Sequence, residues 1–193
     1  MTSLAIDPRN TALVLIDLQR GIVALPCAPR SGLEVVRNGA RLAARFRALG
    51  ATVVLVRVAF QPDLKDVLRP PADAPSRFDP GALPPDWSDL APGIGPESGD
   101  LVIVKRQWGA FHGTDLDLQL RRRGVRTLVL GGLSTNIGVE STARSAFEHG
   151  YAQIFAEDAM AGGSAEAHAF AVRQIFPRLG FVRSTDEVLS ALA

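Results

Sequence analysis

Residues 127–147 read T-L-V-L-G-G-L-S-T-N-I-G-V-E-S-T-A-R-S-A-F. Thr127 to Leu130 is an apolar run that reads as a buried strand. Gly131 and Gly132 follow and relax the backbone, which only glycine does cheaply. Ser134 and Thr135 offer hydroxyls that can cap a helix start. Val139, Ala143, Ala146 and Phe147 recur at helical spacing and give that helix an apolar face. The stretch is therefore a strand, a tight turn and a helix N-terminus. Such a turn aims unpaired backbone N–H groups at whatever lies above it, where they suit a developing negative charge. A nucleophile on the first helical turn would be well placed, but that position is Gly138.

The flanking chain repeats the strand–helix alternation. Thr11 to Asp17 (T-A-L-V-L-I-D) is a continuous apolar run ending in an acid, as expected of a central parallel strand buried on both faces. Leu18 to Ser31, with Gly21, Pro26 and Pro29, reads as a loop. Leu33, Val36, Ala40, Ala43 and Phe46 share a face of a helix over Gly32 to Gly50, and Gly50 is its stop signal. Ala51 to Ala59 is the second buried strand. Phe60 to Gly99 is rich in proline and glycine and shows no period, as expected of a covering or functional segment. Leu101 to Val104 is a strand ending at Lys105. Thr114 to Arg123 is a helix, with Thr114 as cap and Asp117 three residues on. Val125 to Leu130 is strand four and Ala152 to Ala156 strand five, followed by a Met160–Gly163 turn. A helix over Ser164 to Phe176, a short strand at Phe181 to Arg183 and a last helix opened by Ser184 and Glu187 complete the chain.

This alternation predicts an α/β fold, a parallel sheet covered on both faces by helices, in one domain over residues 1–193. Ligands of such sheets bind beyond the carboxyl ends of the strands. Asp17, Lys105 and the Leu133–Gly138 turn all fall on that edge.

Composition narrows the function. A formal charge of +1 argues against a nucleic-acid binder, and the one basic run, Arg121 to Arg123, ends a helix, where cations favour the dipole. No apolar stretch is long enough to span a bilayer, and Met1 to Asn10 lacks a signal-peptide core, so no membrane partner is expected. The single cysteine, Cys27, fits a reducing, cytoplasmic setting and excludes an intrachain disulfide. Glu140, Arg144 and Glu148 lie four apart and read as a salt-bridged exposed face.

Three stretches carry a family resemblance. D-L-Q at Asp17 to Gln19, Lys105 with W-G-A-F-H-G-T-D-L at Trp108 to Leu116, and G-G-L-S-T-N-I-G-V-E-S-T-A-R from Gly131 resemble, in order and spacing, the motifs of the isochorismatase-like, or cysteine hydrolase, superfamily. The resemblance covers nearly the whole chain. It implies three α/β/α layers with a six-stranded parallel sheet in the order 3-2-1-4-5-6, a homo-oligomer (dimer or higher), and a small-molecule substrate. The family's amidases use an aspartate, lysine and cysteine triad, which falls on Asp17, Lys105 and Gly138. A cis peptide, frequent before the nucleophile in this family, would fall at Leu133–Ser134. The metal-binding branch uses an Asp-x-His pattern with further histidines; His112, His149 and His168 are not so arranged, and no metal or other cofactor is expected.

Glycine at position 138 excludes a covalent thiol at that site. The resemblance also supplies a branch that needs none. Isochorismatases hydrolyse a vinyl ether, and members can carry glycine there. Protonation of the enol-ether carbon requires an acid, and Asp17 is the candidate. Desolvation at a strand end raises its pKa and Lys105 lowers it. Lys105 could instead hold substrate carboxylates. The candidate substrate contacts are Leu133, Ser134, Trp108, Phe111 and Arg77, with Arg57 and Arg77 as possible carboxylate clamps. Two alternatives stand beside this reading: an amide hydrolase in which water attacks directly, with the Ser134–Gly138 N–H groups as oxyanion site, and a non-catalytic descendant that binds a small metabolite.

Overall fold

The computed structural model describes residues 5–74 and 79–192. Six strands form one sheet: β1 (Thr11–Ile16), β2 (Thr52–Val58), β3 (Leu101–Lys105), β4 (Thr127–Leu133), β5 (Ala152–Ala161) and β6 (Phe181–Arg183). Their order is β3-β2-β1-β4-β5-β6, and every neighbouring pair is parallel. The helices are α1 (Arg20–Val23), α2 (Gly32–Ala48), α3 (Leu116–Arg122), α4 (Glu140–Glu148), α5 (Ala165–Phe170), α6 (Phe176–Leu179) and α7 (Thr185–Ala191). The parallel sheet and its order are those expected from the sequence and its family resemblance.

Alternation along the buried strands sorts the core into two halves. Leu13, Leu15 and Leu55 face one side and pack with Val35, Leu42 and Phe46 of α2 and Val188 of α7. Val14, Ile16, Val54 and Val56 face the other and pack with Leu116 and Leu120 of α3, Ala143 and Ala146 of α4 and Phe176 of α6. Ser31 caps α2 in a reciprocal capping box with Glu34, and Ser184 does the same for α7 with Glu187. In α2 the apolar face is centred on Val35, Val36, Leu42 and Phe46, and Leu33 points to solvent.

Several boundaries differ from expectation. β4 does not stop at Leu130. It continues through Gly131 and Gly132 to Leu133, because these residues stay paired with Leu15 and Ile16 of β1. β5 likewise runs past Ala156 to Ala161, after an irregularity in its pairing opposite Gly131. The expected Met160–Gly163 turn therefore begins only after Ala161. The loop after β1 contains the short α1. The helix after Ser164 reaches Leu179 but passes through a π segment at Ala171–Ile175. Pro177 lies just beyond and has no N–H to continue the regular bonding. Thr114 bonds the Leu116 N–H as expected of a cap, but Asp117 turns to Arg121 and to the Tyr151 hydroxyl.

The segment between β2 and β3 is pinned at several points rather than packed by its own core. The fully buried Gln19 carboxamide donates to the Val58 and Trp87 carbonyls and accepts from the Val58 N–H. Arg106 pairs with Asp66, and Arg47 with Glu97 and Asp100.

Candidate active site

Asp17 follows β1, and its N–H still pairs with the Val56 carbonyl. Strict alternation would send its side chain to the α2 face, opposite Ile16. Its φ of 54° ends that alternation. Asp is among the few non-glycine types that tolerate this left-handed geometry. Lys105, the last residue of β3, lies on the Ile103 side of the sheet and is 1% exposed. Two strand spacings, about 10 Å, separate the two backbones. The lysine stem crosses β2, and Nζ donates to Asp17 Oδ2 at 2.7 Å. Nζ also donates to the carbonyls of Trp108 at 2.8 Å and Gln107 at 3.2 Å, which satisfies all three ammonium protons.

The other Asp17 oxygen, Oδ1, is shielded from solvent and has no hydrogen-bond partner among the described residues. Burial is the largest influence on this carboxyl and raises its pKa from 3.8 to about 6, against the opposing charge and hydrogen bond of Lys105. With Oδ2 engaged by Nζ, the acid proton belongs on Oδ1.

The turn after β4 forms the facing wall. The Leu133–Ser134 peptide is cis. The chain then makes a π turn, Thr135–Val139, before α4. Ser134 occupies the N-cap position but its side chain caps nothing, and the Thr135 hydroxyl bonds His168 instead. Both residues were expected as caps; the π turn, held through the Ser134 carbonyl by the Ile137 and Val139 N–H groups, replaces the ordinary first turn. Val139, Ala143 and Ala146 are buried as expected, whereas Phe147 is exposed. Thr142, one turn after Gly138, donates to the Gly138 carbonyl at 2.7 Å and accepts from the Ala110 N–H at 3.1 Å. That hydroxyl ties the turn to the loop that wraps the Lys105 ammonium.

Gly138 meets Asp17 directly. A Cβ built there would lie 3.1 Å from Asp17 Oδ2, 3.0 Å from Ile16 Cγ2 and 3.3 Å from the Leu133 carbonyl. The place of a thiol stem is thus already crowded by Ile16 and the Asp17 carboxylate.

The remaining candidates are dispersed. Trp108 contributes its carbonyl to Lys105 while its side chain is 67% exposed. Phe111 is buried away from solvent, stacked on His149 and against Tyr151, and so packs as core. Arg77 lies outside the described residues. Arg57 bonds the Ser88 carbonyl and hydroxyl, fixing the covering segment. The Cys27 thiol donates to the Leu25 carbonyl, and burial raises its pKa, the wrong direction for a reactive thiolate. Of the expected exposed face, Glu140 and Arg144 form an ion pair in which Arg144 is exposed and Glu140 half-buried. Among the described residues no three His, Cys, Asp or Glu side chains converge as metal ligands, and no helix is long and apolar enough to cross a membrane. The sequence reading missed Thr142 and His168 as parts of this wall. Only the four-residue offset of Thr142 from Gly138 could have signalled the first.

Known proteins share this architecture. The Isochorismatase domain family matches residues 11–187. The chain is 50% identical to the isochorismatase family protein YecD of Escherichia coli O157:H7, over 98% of this chain and 100% of that one. It is 32% identical to a ureidoacrylate amidohydrolase of Methylobacterium radiotolerans, covering 98% of this chain and 82% of the relative. An isochorismatase family protein from Burkholderia thailandensis superimposes with a TM-score of 0.93 at 48% identity, over 99% of both chains. The N-carbamoylsarcosine amidase of Thermoplasma acidophilum does so with a TM-score of 0.72 at 26% identity, over 92% of this chain and 97% of that one. With the sheet order, the Asp17–Lys105 pair on its carboxyl edge and a family match spanning most of its length, the chain belongs to the isochorismatase family.

Proposed function

We propose that this protein is a hydrolase that cleaves an enol ether of a small metabolite by protonation from Asp17, with no covalent intermediate. One observation carries the reading: Asp17 Oδ1 is buried and unpaired among the described residues, on a carboxyl whose pKa is raised to about 6, beside a glycine that supplies no nucleophile. An orphaned buried oxygen costs about 1–3 kcal/mol. A substrate atom that engages it recovers that cost.

The chemistry needs one proton and one water. Asp17 gives its proton to the terminal carbon of the enol ether, and the C=C electrons form the new C–H bond. The resulting oxocarbenium ion takes up water. The hemiketal then breaks its C–O bond, releasing a keto acid and an alcohol, and a proton from the water returns to Asp17. Lys105, already 2.7 Å from Oδ2, stabilises the carboxylate as it forms. Its attraction grows along the reaction, which is the condition for lowering a barrier. Purified protein incubated with isochorismate should release pyruvate; no keto acid from any enol ether tested would sink the reading.

A second reading has specific support in relatives that are an amidohydrolase and an amidase by name. Here Asp17 would act as a base on water attacking an amide. Gly138→Cys separates the two. The added Cβ presses on Ile16 Cγ2 and on the Asp17 carboxylate, which must give by a few tenths of an ångström. A shift of that size is expected to lower enol-ether turnover by up to about 10-fold, since a 1 Å misplacement costs about 100-fold. New turnover across a panel of small amides, abolished by thiol alkylation, would instead mark an amidase pocket. Tight binding of either class without turnover would point to a non-catalytic descendant.

A further inference from the structure

Behind the Gly138 turn lies a second polar cluster that the proposed chemistry does not use. The Thr135 hydroxyl is 2.8 Å from His168 Nδ1. His168 comes from α5, and its Nε2 lies 4.0 Å from Glu157 Oε2 on β5. Arg30, from the segment after α1, bonds Glu157 Oε2 at 3.0 Å and the Glu157 carbonyl at 3.2 Å. A hydroxyl, an imidazole and a carboxylate in this sequence resemble a nucleophile relay. The cluster is tied up instead: Arg30 already holds the carboxylate, and Thr135 is fully buried with its hydroxyl engaged by the ring.

We propose that His168 is a positioning residue for the cleft: its imidazole, through the Thr135 hydroxyl, holds the turn that carries Gly138 against Asp17. Thr135 opens the π turn and Gly138 is its fourth residue. Thr142 fixes the far end of the turn through the Gly138 carbonyl. His168 fixes the near end, from the opposite side. The loop after β5 presses on the same place, since a Cβ on Gly162 would lie 3.0 Å from Asn136 Oδ1 and 3.7 Å from the Thr135 N. The π turn is thus clamped at both ends by side chains from other elements.

The clamp depends on the ring being neutral. In the tautomer that points its proton from Nε2 toward the Glu157 carboxylate, 4.0 Å away, Nδ1 accepts from the Thr135 hydroxyl. The groups facing the ring are Thr135, Glu157 and, through Glu157, Arg30. Burial and the Arg30 charge hold the imidazole pKa below its ordinary 6.5. A lowered value means the fold favours the neutral ring. Its contribution is present above pH 6.5 and is lost as pH falls through the lowered value. Protonation places an N–H against the Thr135 hydroxyl, so the bond reverses: the hydroxyl accepts, and its own proton must turn to a new partner, which changes the near end of the clamp.

The proposal rests on Asp17 and the Gly138 turn forming the candidate site, and its readout needs no turnover. The experiment is a pH titration of the whole protein by NMR, following the His168 ring and the Gly138 amide. The Gly138 resonance is expected to shift with the midpoint of the His168 ring. Thr135→Val, which removes only the hydroxyl, should abolish that shift while the ring still titrates. His168→Asn keeps a short acceptor at the Nδ1 position, and should preserve the neutral-pH Gly138 resonance and flatten its titration. His168→Leu should displace that resonance at every pH. A Gly138 resonance that ignores the His168 titration, or one that still follows it in Thr135→Val, overturns the proposal. Enol-ether turnover in the same samples reports separately on the Asp17 reading, so either can fail alone.

Discussion

Asp17→Asn is expected to lower kcat/KM for an enol ether by at least about a hundredfold, the low end of what a positioned acid supplies. The amide is nearly isosteric with the acid. Its oxygen can still accept from Lys105 Nζ, which at 1% exposure keeps all three of its hydrogen-bond acceptors. The fold should therefore survive, and the loss belongs to the missing proton. The pH profile of the unmodified protein adds a sign. A general acid must be protonated, and Asp17 has a pKa of about 6. On the acid reading kcat/KM falls tenfold per pH unit above about 6; a base would make it rise to about pH 6 and level off. A descending limb that vanishes in Asp17→Asn supports proton-driven hydrolysis. Turnover that survives the substitution, or an ascending limb, removes Asp17 from the role of acid.

The same carboxyl has a cost in stability, and its direction follows from the raised value. The folded state binds the Asp17 proton more tightly than the unfolded chain does. The group therefore favours folding most below pH 3.8, and that contribution is lost as pH rises through about 6. The difference between the two values corresponds to roughly 3 kcal/mol. Such an expense is ordinary at a functional site and unusual elsewhere.

Much of this was legible in the sequence because it depends on local pattern. Continuous apolar runs as short and β-branched as Thr11 to Ile16 suit central parallel strands, and alternation with amphipathic helices then leads to the layered sheet. Asp17 and Lys105 were legible as strand-end residues. That they touch was not, because the contact depends on two things no pattern encodes. One is the left-handed φ at Asp17, which re-aims its carboxylate. The other is the path of the Lys105 stem over β2. The crowding at Gly138 was not legible either, because the atoms nearest a Cβ there belong to Ile16 and Asp17, far earlier in the chain. Phe111 beside Lys105 reads like a pocket wall, and only its stacking on His149 assigns it to the core. Thr135 and His168 are polar residues on separate elements with no shared motif, so their contact was invisible.

Gly132→Ala is expected to be the most damaging single substitution for the fold. Gly132 has φ of 120°, which an L side chain rarely adopts. It is not at a turn but inside β4, paired with Ile16 of β1 and with Met160 of β5. A Cβ there would run into the Ile16 carbonyl oxygen, nitrogen and carbonyl carbon, and backbone in the middle of a sheet cannot step aside. Two penalties then act together: a side chain forced to positive φ, and a clash that separates the two central strands. Their sum is expected to exceed about 4 kcal/mol, a size reserved for a few severe mechanisms. For a chain of this length that lowers Tm by roughly 10 °C or more. Gly163→Ala, just beyond the end of β5, is the control, with open space at its Cβ and no left-handed backbone. It should change stability by less than about 0.5 kcal/mol. Thermal unfolding of the two variants side by side is the measurement, and a Gly132→Ala protein as stable as the control would contradict the account. The reason for tolerating such a residue is positional. Gly132 brings the β4 backbone against Ile16, one residue before Asp17, and the chain leaves it directly into Leu133 and the π turn. The close approach that makes Gly132 irreplaceable is what sets Gly138 within van der Waals reach of the Asp17 carboxylate.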